Sequence, residues 1–125
     1  MFLVYVDGSG KGFYAFVAER KGEIFKIGIF RKKGITNNQA EYLAILETLK
    51  NFPKGDLIIY SDSLLIVNQL NGVYKIKNEK LKKLAKAIKR RMRKRFVEIR
   101  WIPRSSNKAG KLLEKLLKKR KVTST

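Results

Sequence analysis

Acidic residues are scarce in this chain, so the positions of a few of them are informative. Only ten Asp and Glu occur among 125 residues. Asp7 directly follows an apolar run over residues 2–6, and Asp62 comes just after a second apolar run over residues 57–60. Glu41 lies about one turn into a segment with helical spacing of its apolar residues. Carboxylates that converge repel one another, and a shared hard divalent cation such as Mg²⁺ or Mn²⁺ removes that repulsion. Three unrelated surface acids are the alternative.

The overall charge of the chain favours a polyanionic partner. Thirty Lys and Arg residues against ten acidic residues give a formal net charge of +20, whereas small soluble domains usually carry a net charge of about 2–8 in magnitude. Nucleic acid is the partner that this excess predicts first, and an anionic membrane surface is second. The sequence has no cysteine and no histidine. This excludes disulfides, thiolate or imidazole metal ligands, and nucleophilic sites built on Cys or on Ser and His.

The hydrophobic pattern predicts an α/β fold that positions these carboxylates. Apolar or alternating runs predict strands, and apolar residues spaced by three or four predict helices. The predicted strands cover residues 2–6, 13–19, 23–30, 57–60 and 96–101. The predicted helices cover residues 36–51, a short segment ending near residue 71, residues 78–95 and a final segment after Pro103. The order βββαβααβα favours a five-stranded mixed sheet with helices on its faces.

This order brings the carboxylates together if the first helix returns the chain beside the first strand. Asp7 and Asp62 then lie at the carboxyl ends of neighbouring strands, where open α/β sheets bind ligands, and Glu41 reaches in from the helix. The first strand is predicted to be buried on both faces because all its residues are apolar. We expect residues 1–121 to form a single domain and residues 122–125 to form a disordered tail.

A strongly basic segment precedes the last strand. Residues 75–95 contain twelve Lys or Arg and one acid, Glu79. This excess is more typical of a face that binds a phosphate backbone than of a solvated amphipathic helix. The glycine-rich segment 8–12 predicts a turn, because a phosphate loop requires Ser or Thr after Gly-Lys and then a helix. Trp101 is predicted to be a core residue rather than a platform for base stacking.

Four short motifs give the chain a family resemblance. They are Tyr5-Val6-Asp7-Gly8-Ser9, Thr36-Asn37-Asn38-Gln39-Ala40-Glu41-Tyr42, Tyr60-Ser61-Asp62-Ser63, and Trp101-Ile102-Pro103-Arg104 with Asn107. Their order and spacing over nearly the whole chain resemble type 1 ribonuclease H, in the short archaeal and bacterial form that lacks the basic protrusion. The segment from Thr36 to Glu41 is the most specific part of the match. The resemblance implies the ribonuclease H-like fold.

The resemblance also implies an enzyme that hydrolyses the RNA strand of RNA–DNA hybrids with two divalent cations, Mg²⁺ or Mn²⁺. Asp7, Glu41 and Asp62 would be both the catalytic residues and the metal ligands, with Asp7 bridging the two ions. One ion would activate the attacking water, and the other would stabilise the leaving 3′ oxygen. Some relatives of this type also cut double-stranded RNA, so that substrate stays open.

Substrate contacts follow from the same resemblance. Gly8, Ser9 and Ser63 would contact the RNA strand. The polar residues before Glu41 would meet the minor groove and the strand backbones, where the 2′-hydroxyl distinguishes RNA from DNA. The full predicted set is Gly8, Ser9, Asn37, Asn38, Gln39, Ser63, Arg104, Asn107 and Lys111. Helix capping is the alternative for residues 36–39.

One position departs from the family pattern. The family's fourth carboxylate falls at Lys111, four residues after Asn107, and Glu114 is the candidate substitute although it lies about 60° further round the helix. A cation at this position weakens ion binding, which contact of Lys111 with a substrate phosphate would offset. Alternatively, the chain is a catalytically impaired module that only binds hybrid or duplex nucleic acid. A small basic architectural protein with the same fold is a third alternative.

The apolar start of the chain does not predict a membrane segment. The run over residues 2–6 stops at Asp7, whereas a membrane-spanning helix needs about 20 apolar residues. We therefore expect no membrane partner, a cytoplasmic location and a monomer.

Overall fold

The strands and helices follow the predicted order. The computed structural model describes the backbone of residues 1–123 and the side chains of residues 1–118. The strands are β1 (Phe2–Gly8), β2 (Phe13–Arg20), β3 (Glu23–Arg31), β4 (Leu57–Ser61) and β5 (Val97–Trp101). The helices are α1 (Asn37–Asn51), α2 (Leu64–Leu70), α3 (Glu79–Met92) and α4 (Lys108–Thr123), with a 3₁₀ turn over Arg104–Ser106 before α4. Helix α4 extends two residues into the segment predicted as a tail, and residues 124 and 125 lie outside the described residues.

The five strands form one mixed sheet in the order β3-β2-β1-β4-β5. Strand β1 pairs antiparallel with β2 and parallel with β4, and β4 pairs parallel with β5. Helix α1 lies in the crossover that returns the chain beside β1. Tyr5 pairs with Tyr60 in the β1/β4 register, so Asp7 and Asp62 each follow this pair by two residues. The predicted five-stranded mixed sheet is confirmed, and it places both acids at the same edge.

Helices cover both faces of the sheet, but not equally. On one face, α1 packs over the buried side chains of β1 and β2, and α3 packs against α1. Helix α3 contributes an apolar stripe, with Leu81, Ala85 and Ile88 buried. On the other face, α4 packs on β1 and β2 around Leu113. The β1 residues on that side, such as Leu3, are only half-buried, so the prediction of burial on both faces is wrong, because one helix does not cover the whole face. Within residues 1–123, every helix is too short or too polar to cross a membrane.

The start of α1 is held by its own side chains. Thr36 is the N-cap, and its Oγ1 accepts a hydrogen bond from the Gln39 N–H at 3.1 Å. The Gln39 Oε1 accepts one from the Thr36 N–H at 2.9 Å. This capping box satisfies backbone donors that the helix leaves unpaired. One turn later, the Tyr42 hydroxyl donates to Gln69 Oε1 of α2 at 2.6 Å. The first turns of α1, which carry Glu41, are therefore fixed at both ends.

Strand β1 and helix α1 approach so closely that Gly8 has no room for a side chain. A Cβ atom added at Gly8 would lie 2.5 Å from both the Ala40 carbonyl carbon and the Glu41 nitrogen. Real Cβ atoms are essentially never found within 3.0 Å of another atom in this way. The close approach is what brings Glu41 beside Asp7.

We expect Gly8→Ala to lower the free energy of unfolding by about 1–3 kcal/mol, because α1 must move away from β1 to admit the methyl group. Gly10→Ala is the matched control, since no atom lies within 4 Å of a Cβ added there. The control should change stability by less than about 0.5 kcal/mol. Urea denaturation of both variants measures the difference, and equal stabilities would contradict the close packing.

Candidate metal and nucleic-acid site

Three carboxylates converge at the carboxyl ends of β1 and β4. Asp7 lies in β1, Asp62 directly follows β4, and Glu41 projects from α1. One oxygen of each side chain lies within 4.8 Å of an oxygen of each of the other two. Asp7 and Asp62, which are 55 positions apart along the chain, are thus brought to one point by the parallel pairing of β1 with β4.

Burial and neighbouring carboxylates destabilise the charged forms of Asp7 and Glu41. Burial, reinforced by the neighbouring Asp7 carboxylate, raises the pKa of Glu41 to about 8. Burial, reinforced by the Asp62 carboxylate, raises the pKa of Asp7 to about 6. The Arg104 guanidinium lowers the pKa of Asp7, but its effect is smaller than that of burial. The cluster is therefore a local excess of negative charge inside a strongly basic protein, which is the condition that favours a bound cation.

Asn107 fixes the orientation of Asp62. Its side chain is fully buried, and its Nδ2 donates hydrogen bonds to the Asp62 carboxylate and to the Val6 carbonyl oxygen, both at 2.9 Å. Its Oδ1 accepts from the backbone N–H groups of Ala109 and Gly110, at 3.1 and 3.3 Å. One side-chain amide thus links β1, the end of β4 and the start of α4. The substrate contact predicted for Asn107 is at odds with this burial, and the residue positions Asp62 instead.

The oxygens of this cluster fit a hard divalent cation. Such a cation holds its oxygen ligands at about 2.0–2.6 Å, so oxygens on opposite sides of one ion lie about 4–5 Å apart. The observed limit of 4.8 Å falls in this range. A pair of ions about 3.5–4 Å apart would also need carboxylates as closely grouped as these. The donor set therefore suits ions such as Mg²⁺ or Mn²⁺, which prefer carboxylate oxygens.

The carboxylates open into a cleft of about 290 Å³. Its walls are formed by the turn after β1, the start of α1, the 3₁₀ turn and one side of α4. Besides the three acids, the lining residues are Gly8, Ser9, Asn37, Arg104, Gly110, Lys111, Leu113, Glu114 and Leu117. A side-chain amide and two cations thus surround the acids, as suits contact with a sugar–phosphate backbone.

Comparison with known proteins identifies the family. Residues 5–115 match the family described as reverse transcriptase-like. The chain belongs to this family.

This reverse transcriptase-like chain is similar in structure to solved ribonucleases H. LC11-RNase H1, isolated from compost and solved in complex with an RNA/DNA hybrid, is 26% identical, with a TM-score of 0.82 over 90% of this chain and 93% of that one. RNase H1 from the halophilic archaeon Halobacterium salinarum NRC-1 is 25% identical, with a TM-score of 0.80 over 90% and 92% of the two chains. The N-terminal ribonuclease H domain of a Mycobacterium tuberculosis protein, fused to maltose-binding protein, is 22% identical and supports the fold alone, with a TM-score of 0.84 over 99% and 98%. The resemblance to type 1 ribonuclease H and the ribonuclease H-like fold are confirmed.

Three of the predicted substrate contacts of this ribonuclease H-like chain lie behind or beside the cleft. Gln39 is buried and completes the capping box, so the capping alternative accounts for it. Ser63 caps α2, since its Oγ accepts a hydrogen bond from the Ile66 N–H at 3.3 Å. The Ser63 hydroxyl also lowers the pKa of Glu41, against the larger effect of burial. Asn38 is half-buried beside the exposed Asn37.

The position of the family's fourth carboxylate lies on the cleft wall. A Cβ atom added at Gly110 would lie 3.4 Å from Asp7 Oδ2, so the first turn of α4 passes close to this acid. The exposed Lys111 follows on the cleft lining. Glu114 also lines the cleft, but it is exposed and pairs with Lys118 at 3.4 Å. The candidate substitute acid therefore already has a cationic partner.

Trp101 lies next to Asp62 and is exposed, so the prediction that it is a core residue is wrong. It is 48% exposed, because it ends β5 at the edge of the sheet. Its indole Nε1 donates a hydrogen bond to the Asp62 carbonyl oxygen at 3.1 Å. Next along the chain, the Ile102 N–H donates to the Ser61 carbonyl oxygen at 2.9 Å. The signal in the sequence is the indole N–H itself, which usually finds an acceptor at a strand end.

A second, basic groove of about 410 Å³ lies between the β3–α1 loop and α3. We call it the lysine groove. It is lined by Lys32, Lys33, Gly34, Ile35, Gln39, Leu43, Lys80, Lys83 and Leu84. Its four lysines are exposed, so part of the basic segment predicted from the sequence faces the start of α1. The start of α1 lies between the cleft and the lysine groove, because Asn37 lines the cleft and Gln39 lines the groove.

The metal-free protein should lose stability as the pH rises from about 4 to about 8. The pKa values of about 6 for Asp7 and about 8 for Glu41 exceed their ordinary values of 3.8 and 4.5. The folded state therefore binds more protons than the unfolded state between these limits, and the free energy of unfolding falls with increasing pH. Thermal denaturation in EDTA across this range measures the effect.

Two comparisons make this measurement specific. Added Mg²⁺ should restore the lost stability most strongly at the upper end of the pH range, where the carboxylates are ionised. Asp7→Asn should raise the Tm of the metal-free protein at neutral pH and flatten the profile. A variant that keeps the original pH profile would contradict the assignment.

Proposed function

We propose that this chain is a divalent-metal-dependent endonuclease that hydrolyses the RNA strand of RNA–DNA hybrids. The observation that carries the proposal is the convergence of Asp7, Glu41 and Asp62, with oxygens within 4.8 Å of one another, in a chain of net charge +20. Closely packed acids beside a polyanion are unfavourable by themselves and become useful with divalent cations. The hybrid bound to LC11-RNase H1 supports the substrate.

In this proposal the three acids hold two Mg²⁺ or Mn²⁺ ions. When bound, such ions activate the attacking water and stabilise the leaving 3′ oxygen. The chain itself supplies orientation. Asn107 and Trp101 hold the side chain and the backbone of Asp62, and the capping box fixes the turn that carries Glu41. No protein nucleophile is required, since positioning and charge neutralisation carry the rate.

The cleft supplies groups that a hybrid substrate needs. Gly8 and Ser9 place backbone groups beside the acids, and Asn37 presents its amide from the start of α1. We expect these residues to meet the 2′-hydroxyl and the wide minor groove of the RNA-containing duplex. Arg104 and Lys111 line the same cleft and would neutralise neighbouring phosphates. Double-stranded RNA has the same groove and hydroxyls, so it is the second substrate in this proposal.

The lysine groove extends the contact with nucleic acid beyond the cleft. Its lysines, from the β3–α1 loop and from α3, are exposed on both sides of the groove. Since the start of α1 separates the groove from the cleft, we propose that one strand of the hybrid lies in the cleft and the other crosses the groove. Phosphate contacts of this kind position a duplex without reading its sequence.

A binding module without catalysis is the second candidate, and Lys111 is the observation that favours it. Lys111 lies on the cleft wall, at the position where the resemblance to type 1 ribonuclease H predicts a fourth carboxylate. A positive charge there repels divalent cations, although water partly screens the repulsion. The two candidates therefore share the fold and the substrate and differ in how well the site retains ions.

Cleavage of a labelled RNA–DNA hybrid in Mg²⁺ or in Mn²⁺ tests the proposal. Metal-dependent cuts in the RNA strand are expected, and Asp7→Asn should slow them about 10³-fold, because metal ions supply several kcal/mol of transition-state stabilisation. The variant should still bind the hybrid, with an affinity that falls steeply with salt. Tight binding without cuts in either metal would favour the module. Weak binding without preference among duplexes would favour an architectural protein.

We expect Lys111→Asp to lower the Mg²⁺ concentration for half-maximal cleavage about threefold to tenfold, because the change replaces a repulsive charge with an attractive one. Cleavage rates measured against Mg²⁺ concentration provide the test. Lys54→Asp is the matched control: the same charge change at an exposed loop residue before β4, at the opposite end of that strand from the cleft. An unchanged metal requirement in Lys111→Asp would refute a role for this lysine in metal affinity.

A further inference from the structure

An apolar groove with a basic rim lies between β3 and α4, apart from the lysine groove. We call it the edge groove. It has a volume of about 260 Å³ and is lined by Val17, Ile24, Ile27, Lys108, Lys111, Leu112 and Lys115. The lining from β2, β3 and Leu112 is apolar, and the remaining three residues are lysines of α4. Such a combination needs an occupant with both apolar and acidic groups.

The β3 side of the groove is an exposed edge strand. β3 is nine residues long and lies at the end of the sheet. Ile24, Ile27 and Ile29 are 60%, 44% and 45% exposed, and their partners in β2 belong to the sheet face on which α4 packs. Natural proteins usually shorten, charge or cover edge strands, because free backbone groups beside apolar side chains recruit another strand. A long edge with a row of exposed isoleucines indicates an interaction surface.

The lysine rim adds a charge preference. Lys108 pairs with Glu19 and lies 5.5 Å from the centre of the Tyr5 ring. Lys111 and Lys115 have no carboxylate partner among the residues whose side chains the structure describes. They lie one turn apart on the same side of α4. Their uncompensated charge therefore faces any chain that pairs with β3.

We propose that the edge groove binds an extended acidic segment of a partner protein. The segment adds a strand to β3, buries its apolar residues against Ile24 and Ile27, and places carboxylates near Lys111 and Lys115. This inference goes beyond the proposed nuclease activity and does not rest on it.

The charge of the chain argues against two other occupants. A second copy would bring another net charge of +20 against the same basic rim, which is unfavourable. A nucleic acid would gain little from the isoleucine surface, because bases bind proteins through aromatic stacking and polar groups. An acidic peptide with an apolar centre would cover the isoleucines and pair its carboxylates with the lysines.

Binding of a synthetic peptide to the full chain tests the proposal. The probe is a fluorescein-labelled peptide of about eight residues, the length of an ordinary strand, with a Val/Ile centre flanked by glutamates. Fluorescence anisotropy should show saturable binding that weakens with salt. Hydrogen exchange should slow at the β3 amides when the peptide is bound. The double variant Ile24→Glu, Ile27→Glu should weaken binding about tenfold or more, since it removes the apolar contact and repels the glutamates.

Matched controls separate the possible results. Val73→Glu changes an apolar residue that is 67% exposed elsewhere on the surface, and it should bind like the unchanged protein. Lys115→Glu tests the rim if the double variant does not fold, and it should weaken binding about threefold or more. The proposal is overturned if a lysine-flanked peptide binds equally well, or if neither groove variant weakens binding. It also fails if the chain alone dimerises through Ile24 and Ile27, or if RNA–DNA hybrid, added without the peptide, slows hydrogen exchange at the β3 amides.

Discussion

Asp7, Glu41 and Asp62 repel one another, and the rest of the structure must hold these three carboxylates close together. Burial is the larger cause of the raised pKa values of Asp7 and Glu41, and the repulsion adds to it. Three unrelated devices oppose the repulsion: the parallel pairing of β1 with β4, the missing side chain at Gly8, and the buried amide of Asn107. Like charges held close together lower the stability of the folded state, and such an arrangement is typical of a functional site rather than of a structural one.

Positive and negative charges lie in different parts of the molecule and have different roles. Its many exposed lysines and arginines create a positive field that attracts polyanions, while the few acids at the sheet edge create a local site for cations. The two fields meet in the cleft, where Arg104 and Lys111 lie on the same lining as the acids. A polyanionic backbone bound there would contact both, so the segregation of charge favours a substrate that brings phosphates and metal ions to one place.

The sequence predicts the parts of this site that depend on the pattern of apolar residues. It does not predict the parts that depend on contacts of individual side chains between distant elements. The order of the elements and the placement of Asp7 and Asp62 follow from apolar runs, because a strand buried in a sheet must be apolar over most of its length. The exposure of Trp101 does not follow, since nothing in the local pattern shows that β5 is an edge strand. Likewise, the role of Asn107 depends on hydrogen bonds to the Val6 carbonyl oxygen and to the Asp62 carboxylate, and these exist only once the sheet and α4 have packed together.

The lysine at position 111 changes the charge of the site without changing its architecture. Helix α4 is anchored just before this residue, because the Asn107 side chain caps its N-terminus and Lys108 pairs with Glu19 of β2. The backbone at position 111 is therefore set by contacts that do not involve its own side chain, and a carboxylate there would occupy the same part of the cleft wall. It follows that any loss of metal affinity caused by the lysine is an electrostatic effect at one position, acting on a site whose geometry is intact.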